Sequence, residues 1–170
     1  MGGWRGGGGA AVRPERRSGE VMSIRVEPLS KADYERVLPL IAGYQRFYLT
    51  EPDQDRNREF FHRFLAPSDD GLLLGAWRGD ELVGFATLYW TFSSTHAAEA
   101  ALMNDLFVAE GRRGEGIGQA LIQACATAAR DRGMHHLEWF TALDNARAQR
   151  LYERTGAERS GWYNYELLLE

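Results

Sequence analysis

A mixed α/β fold, with one sheet and helices packed on both of its faces, is what this sequence predicts, and three observations predict it. Hydrophobic residues change along the chain between strict alternation, the period of a half-buried strand, and spacings of three and four, the period of an amphipathic helix. The segments run strand, two helices, three strands, helix, strand, helix, strand, and helices interleaved with strands in this way cover both faces of a sheet. Finally, 170 residues of which 44% are hydrophobic can bury one sizeable core but hardly two. One domain is therefore expected over residues 23–170, preceded by a disordered Gly/Arg-rich tail over residues 1–22.

The alternating "SIRVEP", residues 23–28, begins the sheet. Ser30 offers an N-cap with Asp33 in the capping-box position, and the helix it opens runs to about Tyr44. Asp53 or Asp55 caps a second helix with an apolar face from Phe60, Phe61, Phe64 and Leu65, closed by Pro67. In "LLLGAWRGDELVGFATLYW", residues 72–90, two strands flank Gly79-Asp80, a pair that tolerates the positive φ of a hairpin turn. Ala100 to Val108 forms the next strand; alternation puts Leu102, Asn104, Leu106 and Val108 on one face and Met103, Asp105 and Phe107 on the other. Ile117, Ala120, Leu121, Ala124 and Ala128 make the buried stripe of a helix ending near Arg132 and Gly133, with Cys125 at its border. "HHLEWFTA", residues 135–142, is a strand, and "NARAQRLYERTGA", residues 145–157, is a helix that stops at Gly156. "GWYNYELLLE", residues 161–170, supplies the last strand.

A formal net charge of -4 argues against a nucleic-acid partner, which needs a basic face. Cys125 is the one cysteine, so an intrachain disulfide and a multi-cysteine zinc site are excluded and a reducing cytoplasm is the expected home. His135 and His136 are adjacent on a strand and point to opposite sides, while His62 and His96 stand alone, so no metal site is expected. No stretch reaches the 18 apolar residues of a membrane span.

The chemistry concentrates in "GRRGEGIGQAL", residues 111–121, where a strand ends and a helix begins. A helix start presents unpaired N–H donors and the positive end of the macrodipole, which together attract phosphate. Gly114, Gly116 and Gly118 keep side chains away from such a ligand. A P-loop would end in Gly-Lys-Ser/Thr and a dinucleotide fingerprint reads G-x-G-x-x-G; neither spacing is present. On the glycines alone, a plain surface turn before a helix remains open.

Arg113-Gly114-Glu115-Gly116-Ile117-Gly118 matches the Q/R-x-x-G-x-G/A acetyl-CoA motif, "NDLFV" precedes it, and Asn145, Ala148, Leu151, Tyr152, Gly156 and Ala157 follow at the same family's spacing. From about Ile24 to Leu169 the chain thus resembles the GNAT N-acetyltransferase superfamily, within it the yeast histone and polyamine acetyltransferase group and bacterial relatives. The resemblance implies a mostly antiparallel, twisted sheet of about six to seven strands, splayed at the cofactor-binding strand. It also implies acetyl-CoA as cosubstrate, and frequently a homodimer. Backbone N–H groups from Arg113 through Gly114, Glu115, Gly116 and Ile117 to Gly118 would hold the diphosphate. Leu106, Phe107 and Val108 would pair with the pantetheine amides as an added strand pairs with a free edge, and Asn145 and Ala148 would meet the arm from the other side. Tyr152 stands where the family places the acid that protonates the departing thiolate; ordinary core packing is the other reading of this residue.

Transfer to a primary amine, either a small amine or polyamine or a lysine side chain, needs that amine deprotonated, although a free alkylammonium has a pKa of about 10.4. Diamine-type relatives carry Glu where this chain has Asn104, and an amide cannot take a proton. Asp105 is the adjacent carboxylate, but alternation points it away from Asn104 unless a bulge turns it into the cleft; a water chain to another carboxylate is equally compatible. Glu51, Asp53 and Asp55 beside Tyr48 could receive a second ammonium or could simply cap a helix, and Tyr44, Phe47 and Tyr48 are candidate pocket walls. Cys125 is expected to be a packed thiol, so that transfer is direct within a ternary complex. The absent carboxylate at Asn104 keeps a second class open, a non-catalytic acyl-CoA-binding sensor.

Overall fold

The computed structural model describes residues 23–169; the segment 1–22, expected to be a tail, lies outside the described residues. Strand β1 (Ile24–Pro28) leads into helices α1 (Tyr34–Phe47) and α2 (Gln54–His62), followed by strands β2 (Gly71–Arg78), β3 (Glu81–Ser93) and β4 (Ala98–Val108). Helix α3 (Ile117–Asp131), the short strand β5 (Leu137–Glu138) and helix α4 (Ala146–Tyr152) complete the order. The sheet runs β1-β2-β3-β4-β5, antiparallel except for the parallel pair β4–β5.

Local chemistry explains most boundaries. The Asp33 carboxylate reaches back to the Ser30 N–H at 3.3 Å and accepts from Ser30 Oγ at 2.7 Å, half of the expected capping box, although the helix itself opens one residue later, at Tyr34. Of the two aspartates offered as caps for α2, Asp53 serves, accepting from Arg56 N at 3.0 Å. Gly79 takes φ +56° in the β2–β3 hairpin, as the Gly-Asp pair required. Leu29, Val37, Ile41, Phe61 and Phe85 fill the core under α1 and α2, and Leu74, Leu88, Met103, Leu121 and Cys125 fill the other face under α3. Helices on both faces are thus what the fold shows. The α3 stripe is rotated from the expected one: Ile117, Leu121, Ile122, Cys125 and Ala129 are buried, so Cys125 is central rather than bordering, with Ala124 and Ala128 on the flank.

Two expected strands are reduced. "HHLEWFTA" contributes only Leu137 and Glu138, and "GWYNYELLLE" forms no strand over its described residues, where Trp162, Tyr163 and Tyr165 are largely exposed. Among the described residues five strands are therefore formed rather than six or seven. A strand forms only where a neighbour supplies ladder partners, and β5 pairs with β4 at just two positions, Ala101↔Leu137 and Leu102↔Glu138. Beyond that point the two chains diverge, and this divergence opens the principal cleft.

Candidate active site

The cleft has a volume of about 930 Å³ and is walled by the end of β4, the glycine loop and start of α3, the end of α1, and α4. One wall is a free strand edge. Ala109 N–H donates to Val83 O on β3, so antiparallel alternation turns the N–H and C=O of Val108 and Leu106 to the open side. Phe107 shows its main chain to β3, where its carbonyl would lie 2.8 Å from a Cβ added at Gly84. Its ring still lines the cleft. Of the three residues expected to pair with an extended ligand, Leu106 turns its main chain to the open side, Val108 turns its N–H there while its carbonyl accepts from Arg113 Nε, and Phe107 offers only a side chain.

The glycine loop departs from its predicted form at one end. Arg113 N–H already donates to Glu110 O at 3.3 Å, because Glu110–Arg112 folds into a turn of 3₁₀ helix. The amide cradle therefore begins at Gly114. Among the described residues, Gly114, Glu115 and Gly116 donate to no backbone carbonyl, and the N–H groups of Ile117 and Gly118 lie in the unpaired first turn of α3. Gly114 and Gly116 take φ +94° and +84°, with no protein atom crowding either Cβ position, which is what a loop shaped around a ligand requires. Gly118 is different: a Cβ there would meet Leu151 Cδ2 at 2.9 Å, so it also lets α4 approach α3. The Glu115 side chain does not line the cleft; it pairs with Arg78 at 3.0 Å and contributes to the cradle only through its amide. Arg113 instead packs its guanidinium between the rings of Phe47 and Phe107 and donates from Nε to Val108 O at 3.2 Å. Although the chain is acidic overall, Arg112, Arg113, Arg147 and Arg154 line the cleft against a lone Asp144. This local excess of positive charge suits a polyphosphate. Arg112 is ion-paired with Glu81 at the rim.

Helix α4 forms the opposite wall. Asn145 caps it, its Oδ1 accepting from Ala148 N at 3.2 Å, so the Ala148 N–H is satisfied, and the Asn145 N–H itself donates to Ala142 O at 3.1 Å. Tyr152 packs edge-on to Trp139, with centroids 5.4 Å apart, and lines the cleft. Burial first, then the neighbouring Tyr48, pushes its phenol up to about 12. It is therefore a proton donor throughout the neutral range.

Asp105 is where alternation misleads. Thr87 pairs with Asp105 but Leu88 pairs with Met103, so Asn104 is the extra residue of a β-bulge. Past the bulge the face assignment inverts. Met103 belongs to the α3 core, whereas Asp105 joins Asn104 in a second pocket of about 240 Å³ on the α1–α2 side, with Tyr44, Gln45, Arg56, Asn57, Phe60, Phe61 and Tyr89. Tyr44 lines both cavities. Asp105 is 4% exposed, and burial raises its carboxyl pKa although Thr87, Tyr44 and Asn104 favour the charged form. Oδ1 accepts from Asn104 Nδ2 at 3.1 Å, which also donates to Tyr89 OH at 3.2 Å. Oδ2 has no hydrogen-bond partner of good geometry among the described residues. A buried carboxylate of raised pKa, lining a pocket that shares Tyr44 with the cleft, is equipped to take a proton. Tyr48 lies between the two titrating groups: burial and then the charge of Asp105 raise its phenol, and Tyr48 in turn raises Tyr152.

The acidic cluster proposed for an acceptor lies elsewhere. Glu51, Asp53 and Asp55 line neither cavity; Asp53 is the α2 cap and Asp55 pairs with Arg58 at 3.5 Å. Alternation missed Tyr89, which faces the same way as Phe85 and Thr87, and nothing local marks Gln45 and Asn57, whose amides bond each other at 2.7 and 2.8 Å in the pocket wall. Cys125 is fully buried with its thiol pushed up to about 12, which fits a packed side chain. The expectation that the histidines are scattered also fails: His135 and His136 precede β5 rather than alternate along it, and His96 comes within reach of both. No helix among the described residues is long and apolar enough to cross a membrane.

Replacing Gly116 by Val tests the cradle. The neighbouring protein leaves space for the side chain, Ile24 Cδ1 being 3.9 Å from the added Cβ, but a β-branched residue at φ +84° forces the loop out of shape. Loss of one or two amide–anion bonds worth about 1.5–3 kcal/mol in all predicts acetyl-CoA affinity weakened about 10–100-fold, measured by calorimetry, with the far-ultraviolet spectrum unchanged.

Comparison with known proteins agrees with this geometry. The acetyltransferase (GNAT) family profile matches residues 35–157. An uncharacterized N-acetyltransferase of Bacillus subtilis is 30% identical over 143 residues, 84% of this chain and 95% of the relative. A D-amino-acid N-acetyltransferase of Saccharomyces cerevisiae is 32% identical over 133 residues, 77% of this chain and 83% of the relative. The crystal structure of a probable acetyltransferase superposes with a TM-score of 0.76 at 27% identity, over 86% of this chain and 98% of that one. The chain belongs to the GNAT family and is an acyl-CoA-dependent N-acetyltransferase.

Proposed function

We propose that the protein transfers the acetyl group of acetyl-CoA directly to the primary amine of a small acceptor held in the pocket beside Asp105. The observation that carries this is the buried Asp105 carboxylate, set by the bulge at Asn104 on a pocket that shares Tyr44 with the cofactor cleft. The amides of Gly114 to Gly118 would hold the diphosphate of acetyl-CoA, and the open edge of Leu106 and Val108 its pantetheine arm. When bound, acetyl-CoA supplies the acetyl group as an activated thioester. Asp105 accepts the proton of the incoming ammonium, directly or through water. The Val108 N–H, free of β3, stabilises negative charge at the acyl oxygen. Tyr152 donates its phenolic proton toward the leaving sulfur. A carboxylate on the residue after Asn104 supplies the group whose absence from Asn104 raised the passive-binding alternative.

The acceptor pocket carries one acidic group, Asp105, and one basic group, Arg56, with three amides and four aromatic rings. This favours a molecule with both an amine and a carboxylate over a polyamine, whose further ammonium groups would need more acids. The yeast relative is named for D-amino acids, which have this pattern. The exposed aromatic segment around Trp162 and Tyr163 is the surface through which two copies would pair.

A panel of D- and L-amino acids, simple alkylamines, polyamines and lysine peptides, read by release of free thiol, tests the reading. Turnover is expected with amino acids at the lowest KM. Arg56→Ala should raise KM for amino acids about 10-fold or more, the worth of one charged hydrogen bond, and leave alkylamines unaffected. Turnover confined to polyamines would refute this acceptor class, and thiol release with no amine at all would refute transfer to amines.

A further inference from the structure

Three of the four histidines, which nothing in the acetyl-transfer site uses, gather at the end of the sheet away from the cleft. His96 sits in the turn between β3 and β4, where Ala97 takes φ +48°, and His135 and His136 occupy the link from α3 to β5. The main chain that carries them is pinned to the start of β4: His135 N donates to Glu99 O at 2.8 Å, and Ala101 N donates to His136 O at 2.9 Å. The ring of His96 stacks on that of His135 with centroids 4.5 Å apart and lies 5.2 Å from that of His136. One ring nitrogen from each of the three lies within 4.8 Å of the others. His135 Nδ1 and His136 Nδ1 are 3.2 Å apart, and two imidazoles on a tetrahedral ion at bond lengths of about 2.0–2.1 Å hold their nitrogens about that far from each other.

The partners around the cluster are those that orient metal-binding imidazoles. The Glu138 carboxylate is 3.8 Å from His136 Nε2, and a proton held on Nε2 leaves Nδ1 as the lone-pair nitrogen facing His135. Ser93 Oγ engages His96 Nδ1 at 2.9 Å, leaving Nε2 for the ion. All three rings reach solvent, so a small rotation of the His96 side chain completes the set and water can fill the remaining position.

We propose that His96, His135 and His136 form a binding site for a divalent transition-metal ion of the zinc or nickel class, which imidazole ligands favour over magnesium or calcium. The site does not act on the reaction: Glu99 and Val108 are about 30 Å apart along an extended strand. It acts on the sheet. An ion there ties the β3–β4 turn to the α3–β5 link, beside the two-position pairing Ala101↔Leu137 and Leu102↔Glu138 that alone holds β5 to β4.

The test is calorimetric titration of the full chain, freed of metal by chelation and at neutral pH, with zinc, nickel and magnesium chlorides, together with thermal melts. Wild type should bind one zinc or nickel ion with Kd below about 10 µM and, at 100 times Kd, melt about 5–10 °C higher; magnesium should have no effect. His96→Ala and His135→Ala should each weaken binding at least 10-fold, while metal-free thiol release with a productive amine and the metal-free melting temperature stay as in wild type. The exposed His62 serves as a control, and His62→Ala should bind as wild type does. Binding weaker than about 1 mM, or binding unchanged when both His96 and His135 are replaced, would overturn the site.

Discussion

Asp105→Asn is expected to reduce turnover by about 10²–10⁴-fold, the range for loss of a positioned general base, with acetyl-CoA affinity retained because no cradle group is touched. The same change should stabilise the fold at neutral pH. Folding raises the Asp105 carboxyl pKa above its unfolded value, through burial. A raised pKa means that the native state holds the proton more tightly, so its stabilising contribution is complete below the unfolded value of about 3.9 and is lost as pH rises through the folded value. At neutral pH the wild type bears the penalty of a buried carboxylate, which an isosteric amide removes. The substituted side chain would keep an oxygen for the Asn104 amide, which Oδ1 of Asp105 now accepts from. Each unit of pKa elevation corresponds to about 1.4 kcal/mol, or roughly 3–5 °C in melting temperature for a domain of this size. The variant should therefore melt higher than wild type at pH 7.5 and show no advantage near pH 3.5. A variant that is dead but no more stable would mean that Asp105 is not held at a raised pKa, and one that is fully active would remove it from the reaction.

The second large effect is expected at Tyr152. Its hydroxyl donates to no described residue, while its ring is held by Trp139 and Leu151 belongs to the same packed face, so Tyr152→Phe should preserve both the fold and the acetyl-CoA affinity. Turnover should fall about 10²-fold or more, the low end for a general acid, with the loss in kcat rather than in KM for the acceptor. The wild-type pH profile provides a further check. Because burial and Tyr48 hold the phenol at about 12, Tyr152 stays protonated throughout the working range. Activity should rise with pH as Asp105 and then the amine lose protons, without a descending limb below about pH 10. A descending limb below that pH which persists in Tyr152→Phe would place another group in the acid's role.

The contrast between what was legible in the sequence and what was not follows from the range of the physics involved. Gly114 and Gly116 announce themselves because positive φ is a local requirement that glycine meets, and Gly79-Asp80 marks its hairpin for the same reason. Helix α3 was found from a periodic stripe, although that stripe is rotated by about one residue because Cys125, not Ala124, faces the sheet. The Asp105 carboxylate was the harder case. A bulge at Asn104 shifts the register by one residue and reverses the face of everything beyond it, and alternation contains no sign of where such a shift falls. Strands β5 and the expected C-terminal strand failed for a different reason: hydrophobic alternation declares a capacity for pairing, whereas a partner edge is supplied by tertiary structure, and β4 offers β5 only two positions before the cleft intervenes. The acceptor pocket was illegible in the same sense, since Gln45, Asn57, Tyr89 and Asp105 meet there from α1, α2, β3 and β4.

The organising feature is the way one divergence between β4 and β5 serves two needs. It exposes the main chain of Leu106 and Val108 to an extended ligand, and it points the start of α3 into the same space, so that an anion at the glycine loop and a peptide-like arm along the strand lie on one continuous surface. The bulge two residues earlier places Asp105 within a neighbouring pocket that shares Tyr44 with this cleft.

A crystal structure of the protein with coenzyme A tests this most directly. The account predicts diphosphate oxygens within about 3 Å of the N–H groups of Gly114 to Gly118 and the thiol end lying between Tyr152 and the Val108 amide. Diphosphate seated elsewhere, with those amides bonded to water or to the protein's own carbonyls, would contradict it.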